Sequence, residues 1–61
     1  MERIALRDAF LKLPARWRQV LSLRYYDGKT QMQVAGLLGI SQAQVSRMEK
    51  SAVAELRQMM S

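Results

Sequence analysis

The side chains best suited to recognition chemistry lie in one short segment, SQAQVSRMEK, at residues 41–50. An arginine can donate two hydrogen bonds to O6 and N7 of guanine, and a glutamine can pair with N6 and N7 of adenine. Small alanine and serine residues between these longer side chains would let a helix approach a flat surface closely. The residue types of this segment therefore favour contacts with the edges of nucleic-acid bases.

Catalysis and metal binding are disfavoured by what the chain lacks. It contains neither histidine nor cysteine, so the commonest general base and the thiolate ligands of structural zinc sites are missing. The acidic residues are scattered rather than paired: Glu2, Asp8, Asp27, Glu49 and Glu55. We therefore expect no enzymatic activity, no cofactor and no metal.

The charge balance points to a polyanionic partner. Ten lysines and arginines stand against five acids, a formal net charge of +5 in 61 residues. Nucleic acid is the first candidate, and a basic surface that serves solubility alone is the alternative. No apolar run approaches the roughly 20 residues of a membrane span, and the opening MERIALRD lacks the apolar core of a signal peptide. We expect a cytoplasmic protein.

Glycine and proline divide the chain into four predicted helices, so the expected fold is all-α, one domain over residues 1–61. The predicted helices cover residues 2–12, 14–26, 31–38 and 42–59. Pro14 suits a first helical turn, Asp27-Gly28 is a turn signal, and Gly39 suits a left-handed helix end. The apolar stripe predicted for the first helix comprises Ile4, Leu6, Ala9, Phe10 and Leu13, and that of the fourth comprises Val45, Met48, Ala52, Leu56 and Met59.

The turn between the last two helices is too short for an antiparallel pair. Only Gly39, Ile40 and the predicted cap Ser41 separate them, which is typical of a helix-turn-helix at about residues 30–50, supported by helices within residues 2–26. A small helical bundle with the same turn and no nucleic-acid partner is the alternative. The face of the fourth helix opposite its apolar stripe, at about 100° per residue, carries Ala43, Ser46, Arg47 and Lys50, flanked by Gln42 and Gln44.

These positions give a predicted DNA surface. Arg47 is the best candidate for a base-reading residue, and Gln42 and Gln44 are candidates for base or phosphate contacts. Lys50 is expected to meet a phosphate. The start of the third helix is a second candidate phosphate site, because helix N-termini favour anions, and its residues are Lys29, Thr30 and Gln31. Thr30 is also suited to an ordinary helix cap.

The run LPARWRQVLSLRYYDGKTQMQVAGLLGISQAQVSRMEKSAVAELR, residues 13–57, resembles region 4, the C-terminal DNA-binding region of bacterial sigma factors. ISQAQVSRMEKSAV is similar to the recognition helix of the flagellar, stress and sporulation branch. The resemblance implies binding of the promoter minus-35 element in the major groove, attachment to the β flap of RNA polymerase, and, in many members, capture by an anti-sigma factor. It implies that the base-reading set is Gln42, Ala43, Gln44, Ser46 and Arg47, and it adds Arg24 to the phosphate contacts. It places the partner surface on apolar residues, with Leu13, Trp17, Leu21, Val53 and Met60 as candidates.

Two departures from the family pattern affect these expectations. Trp17 follows Arg16 where the family usually carries glutamate, which puts in question a buried acid-to-arginine pair typical of the family. Ala43 is small where other branches use a charged reader, so the promoter sequence should differ from the housekeeping one. Two other functions stay open at this point: a dimeric stand-alone helix-turn-helix regulator, and a docking module whose main partner is a regulatory protein.

Overall fold

The computed structural model describes residues 5–60, and its elements are helical throughout. The α-helices are α1 (Leu6–Leu11), α2 (Ala15–Leu21), α3 (Gln31–Leu38) and α4 (Gln42–Met60). No β-strand occurs in this part of the chain, which confirms the all-α prediction with its C-terminal helix-turn-helix. The part of the predicted first helix before Ala5 lies outside the described residues. No helix between residues 5 and 60 is long and apolar enough to cross a membrane.

The predicted second helix is two kinds of helix in succession. Pro14 occupies the N-cap position directly before Ala15, and the α-helical pattern ends at Leu21. Residues Ser22–Tyr26 continue as a π-helix, in which the Asp27 amide donates to the Ser22 carbonyl five residues back at 3.0 Å. Gly28 then takes a φ of 71°. Because a π-turn holds more residues than an α-turn, it changes the direction of the side chains that follow Leu21.

Both α3 and α4 begin with the same reciprocal pair of hydrogen bonds. The Thr30 hydroxyl accepts from the Gln33 amide at 3.1 Å, and the Gln33 side-chain oxygen accepts from the Thr30 amide at 2.9 Å. Ser41 and Gln44 repeat this arrangement at 3.1 and 3.0 Å. Each is a capping box, which satisfies amides that a helix start leaves unpaired. The two starts, TQMQV and SQAQV, share this pattern.

The connection from α3 to α4 is the predicted left-handed turn. Gly39 has φ 68° and ψ 34°, a region that L-residues with a Cβ adopt at a cost. The Ile40 amide closes the turn by donating to the Ala35 carbonyl at 3.1 Å. Ile40 itself packs against the core, as expected from its place beneath the turn.

The core consists of two clusters, and α2 and α4 contribute to both. The first contains Val20, Val34, Ala35 and Val45. The second contains Leu13, Leu21 and Ala52, with Phe10, Trp17, Val53, Leu56 and Met59 packed against it. The neighbouring residues Val20 and Leu21 face different clusters, so α2 packs against both. The stripe predicted for α4 lies inward throughout.

The stripe predicted for the first helix is only partly correct. Ala9 and Leu13 are buried and Phe10 is half-buried, but Leu6 is 58% exposed. A helix of six residues has too few turns to bury every residue of a stripe this wide. Ile4 lies outside the described residues.

Two glycines offer a matched test of this fold. No heavy atom lies within 4 Å of a Cβ added at Gly36 or at Gly39, but only Gly39 has a positive φ. We expect Gly36→Ala, inside α3, to raise the free energy of unfolding by about 0.5–1 kcal/mol through helix propensity. We expect Gly39→Ala to lower it by about 1 kcal/mol because alanine is strained in the left-handed region. Urea denaturation followed by circular dichroism measures both, and a loss at Gly36 equal to that at Gly39 would contradict the assigned turn.

Candidate nucleic-acid interface

The outward face of α4 is a short polar strip with no free acid. Gln42, Ala43, Gln44, Arg47 and Lys50 are exposed and Ser46 is half-buried, whereas Val45 on the opposite side is fully buried. The helix is held from behind by the first core cluster, so its outward side chains have a fixed direction. The structure therefore brings the predicted base-reading residues and Lys50 onto one accessible surface.

The start of α3 lies beside the start of α4. The Gln42 Nε2 donates to the Gln31 Oε1 at 3.5 Å, at the long end of hydrogen-bond lengths. Lys29 and Gln31 are half-buried and Thr30 is exposed. The predicted phosphate residues of α3 and the predicted base-reading residues of α4 thus form one continuous surface.

The capping box restricts the contacts that Gln44 can make. Its Oε1 accepts from the Ser41 amide at 3.0 Å and lies 3.3 Å from the Ser41 hydroxyl. A bidentate contact with adenine needs both the oxygen and the nitrogen of a glutamine amide. With its oxygen engaged in the cap, Gln44 can offer only its amide nitrogen, as a donor to a base or a phosphate. The Ser-x-x-Gln spacing at a predicted helix start was the sequence signal for this role.

Arg24, for which the family resemblance predicts a phosphate contact, forms an internal network. Its Nε donates to the Glu49 Oε1 at 2.7 Å, and one terminal nitrogen donates to the Lys29 carbonyl at 2.8 Å. The Tyr25 hydroxyl donates to the other Glu49 oxygen at 3.3 Å. Two of the five N–H donors of the Arg24 guanidinium are thus engaged within the chain, and a phosphate contact through the other three stays a prediction.

The same network fixes the geometry of the interface. It connects the π-helical segment, the loop before α3 and the middle of α4 through one guanidinium. The two charged side chains are 27% and 14% exposed, so their attraction is screened less than that of a surface pair. This half-buried pair involves neither Trp17 nor Arg16. At the departure next to Trp17, by contrast, the Arg18 Nε is buried without a hydrogen-bond partner among the described residues.

The predicted partner surface requires correction at two of its five positions. Leu13 is 3% and Leu21 is 6% exposed, because the second core cluster closes over them, so little of either side chain is left for a partner to touch. Trp17 and Val53 are half-buried and pack on the outside of that cluster. Met60, at the end of α4, is exposed.

An apolar groove that the sequence did not predict lies between α1, the π-helical segment and α4. Its volume is about 590 Å³, and its lining residues are Leu6, Arg7, Phe10, Leu21, Ser22, Tyr25, Tyr26 and Leu56. Tyr26 is 90% exposed. The adjacent tyrosines at the end of a predicted helix were the available signal, but their direction depends on the π-helical turn. Among residues 5–60 no group of three or more acidic residues could hold a metal ion.

Comparison with known proteins places these features in one family. The family model described as sigma-70, region 4, matches residues 9–58. The chain is 46% identical over 57 residues to an RNA polymerase sigma-G factor of Clostridium acetobutylicum, covering 93% of this chain and 22% of that protein. It is 46% identical over 59 residues to an RNA polymerase sigma-F factor of Bacillus licheniformis, covering 97% and 23%. An RNA polymerase sigma factor SigF of Mycobacterium tuberculosis is 47% identical over 55 residues, covering 90% and 21%. The chain spans about a fifth of the length of these relatives.

The internal network predicts unequal roles for two acids of α4. Glu49→Gln removes the charge that Arg24 and Tyr25 contact, whereas Glu55→Gln removes one from an exposed position. We expect Glu49→Gln to lower the free energy of unfolding by about 1 kcal/mol and Glu55→Gln to change it by less than about 0.5 kcal/mol. Both variants lose one negative charge, so net charge is matched. Equal losses in chemical denaturation would contradict a structural role for the pair.

Proposed function

Because the chain belongs to the sigma-70 region 4 family, whose members bind DNA and are not enzymes, we propose that it recognises the minus-35 element of promoters for a bacterial RNA polymerase. The observation that carries this proposal is the acid-free strip of α4, presented by a three-residue turn and held from behind by Val45. The similarity to sigma-G and sigma-F factors supports it. The chain would act as a specificity domain of a longer sigma factor.

In this proposal α4 enters the major groove with its first turns against the bases. The groove is about 12 Å wide and admits an α-helix. Arg47 is long and exposed, so it can donate two hydrogen bonds to a guanine. Ala43 carries only a methyl group, which suits apolar contact with a thymine methyl. Ser46 is short and half-buried, and it permits close approach of the helix.

Contacts to the DNA backbone would come from both sides of the strip. At the start of α3, amides not used by the capping box and the charge of Lys29 favour a phosphate. Lys50 lies on α4 beyond the base-reading residues and is exposed. These contacts orient the domain on the duplex and carry no sequence information.

The groove next to Tyr26 is the proposed docking site for the β flap of RNA polymerase. It is apolar and open at the surface, and several of its large apolar lining residues are exposed to solvent. Leu56 is nine residues beyond Arg47, about 14 Å along the helix axis. DNA and polymerase could therefore occupy the domain at the same time. An anti-sigma factor that covered this groove would compete with polymerase.

Attachment to polymerase would also supply binding strength. A single small module that makes few phosphate contacts binds DNA weakly at physiological salt. Tethering to a larger complex raises the effective concentration of the module at its site. The relatives that this chain matches are about four to five times its length, and their remaining regions would provide that tether.

Substitutions at two basic residues of α4 separate base reading from charge. We expect Arg47→Ala to weaken binding to the preferred duplex by about 1–3 kcal/mol, and binding to a scrambled duplex much less. We expect Lys50→Ala to weaken both duplexes equally and to make the slope of log affinity against log salt shallower by about one. Fluorescence anisotropy over a salt series measures both. Equal losses on the two duplexes for Arg47→Ala would remove it from the base-reading set.

Docking on polymerase can be tested with two exposed apolar residues. Tyr26 lines the groove, and Met32, 70% exposed on α3, does not. In an amide-shift titration with a β-flap tip peptide, we expect shifts in α1, the π-helical segment and the end of α4. Tyr26→Ser should lower the affinity for the peptide about tenfold, as expected for a central apolar contact. Met32→Ser should leave that affinity unchanged. Shifts confined to residues 42–50, or none, would point to a regulator that works without polymerase.

A further inference from the structure

We propose that Gln31 and Gln42 act as one unit that selects adenine, with Gln31 as the residue that positions the Gln42 amide. This inference rests on the DNA-binding function proposed above and concerns which base the domain reads. The two residues are the first of α3 and the first of α4. The Gln42 Nε2 donates to the Gln31 Oε1 at 3.5 Å.

The remaining hydrogen-bonding groups of Gln42 match one base edge. A glutamine amide has two N–H donors and one oxygen, so after the bond to Gln31 it retains one N–H and its Oε1. In the major groove adenine presents the acceptor N7 and the donor N6 amino group. Both free groups of Gln42 find partners there. Guanine presents two acceptors, N7 and O6, so the Gln42 oxygen would face an acceptor.

The side-chain amide of Gln31 fixes this orientation of the Gln42 side-chain amide. Gln31 retains both N–H donors at the start of α3, beside Lys29. A phosphate oxygen can only accept hydrogen bonds, so a phosphate at this helix end would turn the nitrogen of Gln31 toward the DNA backbone. Its oxygen would then point to Gln42 and fix the nitrogen of that second amide. Backbone contact and base choice would be coupled through one hydrogen bond between side chains.

Gln44 shows that this role depends on position rather than on residue type. It lies two residues after Gln42 and is also exposed, but its oxygen belongs to the capping box with Ser41. It therefore cannot form the same two bonds to adenine. Because the bond between Gln31 and Gln42 is long and exposed, it adds little to the stability of the free domain, and Gln31 variants should fold.

The test begins with selection of binding sites by the 61-residue chain from a pool of random duplexes at low salt. At one position we expect adenine to bind about tenfold more tightly than guanine. A purine without the 6-amino group and 7-deazaadenine, placed at that position, should each lose most of this preference. The variants are Gln42→Ala, Gln31→Ala and Gln31→Glu, with Gln19→Ala, an exposed glutamine of α2, as the matched control.

The two Gln31 variants should separate positioning from phosphate binding. Gln31→Ala and Gln42→Ala should reduce the preference for adenine to less than about twofold. Gln31→Glu keeps an oxygen that accepts from Gln42 but loses the donors to phosphate, so it should bind every duplex more weakly while adenine is still preferred. Gln19→Ala should change neither quantity.

Two results would overturn the positioning role. One is an adenine preference that persists in Gln31→Ala while affinity for all duplexes falls, since Gln31 would then contact only phosphate. The other is a selected site in which no adenine preference depends on Gln42. In both cases a preference read by Arg47 would remain, and the proposed function would stand. Failure to select any sequence would overturn the proposed function itself and this inference with it.

Discussion

The geometry of this domain depends on one residue in the left-handed conformation. Gly39 turns the chain immediately after α3, and the turn is closed by a hydrogen bond from Ile40 to Ala35. With only three residues between the helices, α4 can pack on α3 along one side only. Val45 is therefore buried against Val34 and Ala35. Once that side is fixed, the rotation of about 100° per residue decides which side chains of α4 face outward.

The long helix α4 contributes to both candidate surfaces. Its 19 residues extend over about 28 Å, with Val45 in the first core cluster and Ala52 in the second. The strip at its start and the groove beside Leu56 are therefore parts of one rigid element. A partner in the groove would hold the strip at a defined angle without any rearrangement of the domain. This suits a specificity domain carried by a larger machine.

The sequence was sufficient for features that depend on local chemistry. Glycine at a left-handed turn, threonine and serine at helix starts, and apolar residues at every third or fourth position of α4 each have a local physical cause. The errors concern packing between distant segments. Leu13 and Leu21 are interior because the end of α4 closes over them, and Leu6 is exposed because α1 is short. The direction of Tyr25 and Tyr26 follows from a π-helical turn, which no sequence pattern had indicated.

The network of Arg24 and Glu49 shows how a residue can serve DNA binding without facing DNA. Glu49 lies between Arg47 and Lys50 in the sequence, and an unpaired carboxylate there would repel phosphates across a few ångströms. Its two oxygens are instead engaged by Arg24 and Tyr25, so its charge is compensated on the inner side of the helix. Arg24 also holds the Lys29 carbonyl, at the entrance to α3. The family resemblance predicts a phosphate contact for this arginine. The structure also gives Arg24 an indirect role in DNA binding. By pairing with Glu49 it keeps a negative charge away from the strip, and by holding the Lys29 carbonyl it helps to shape the interface.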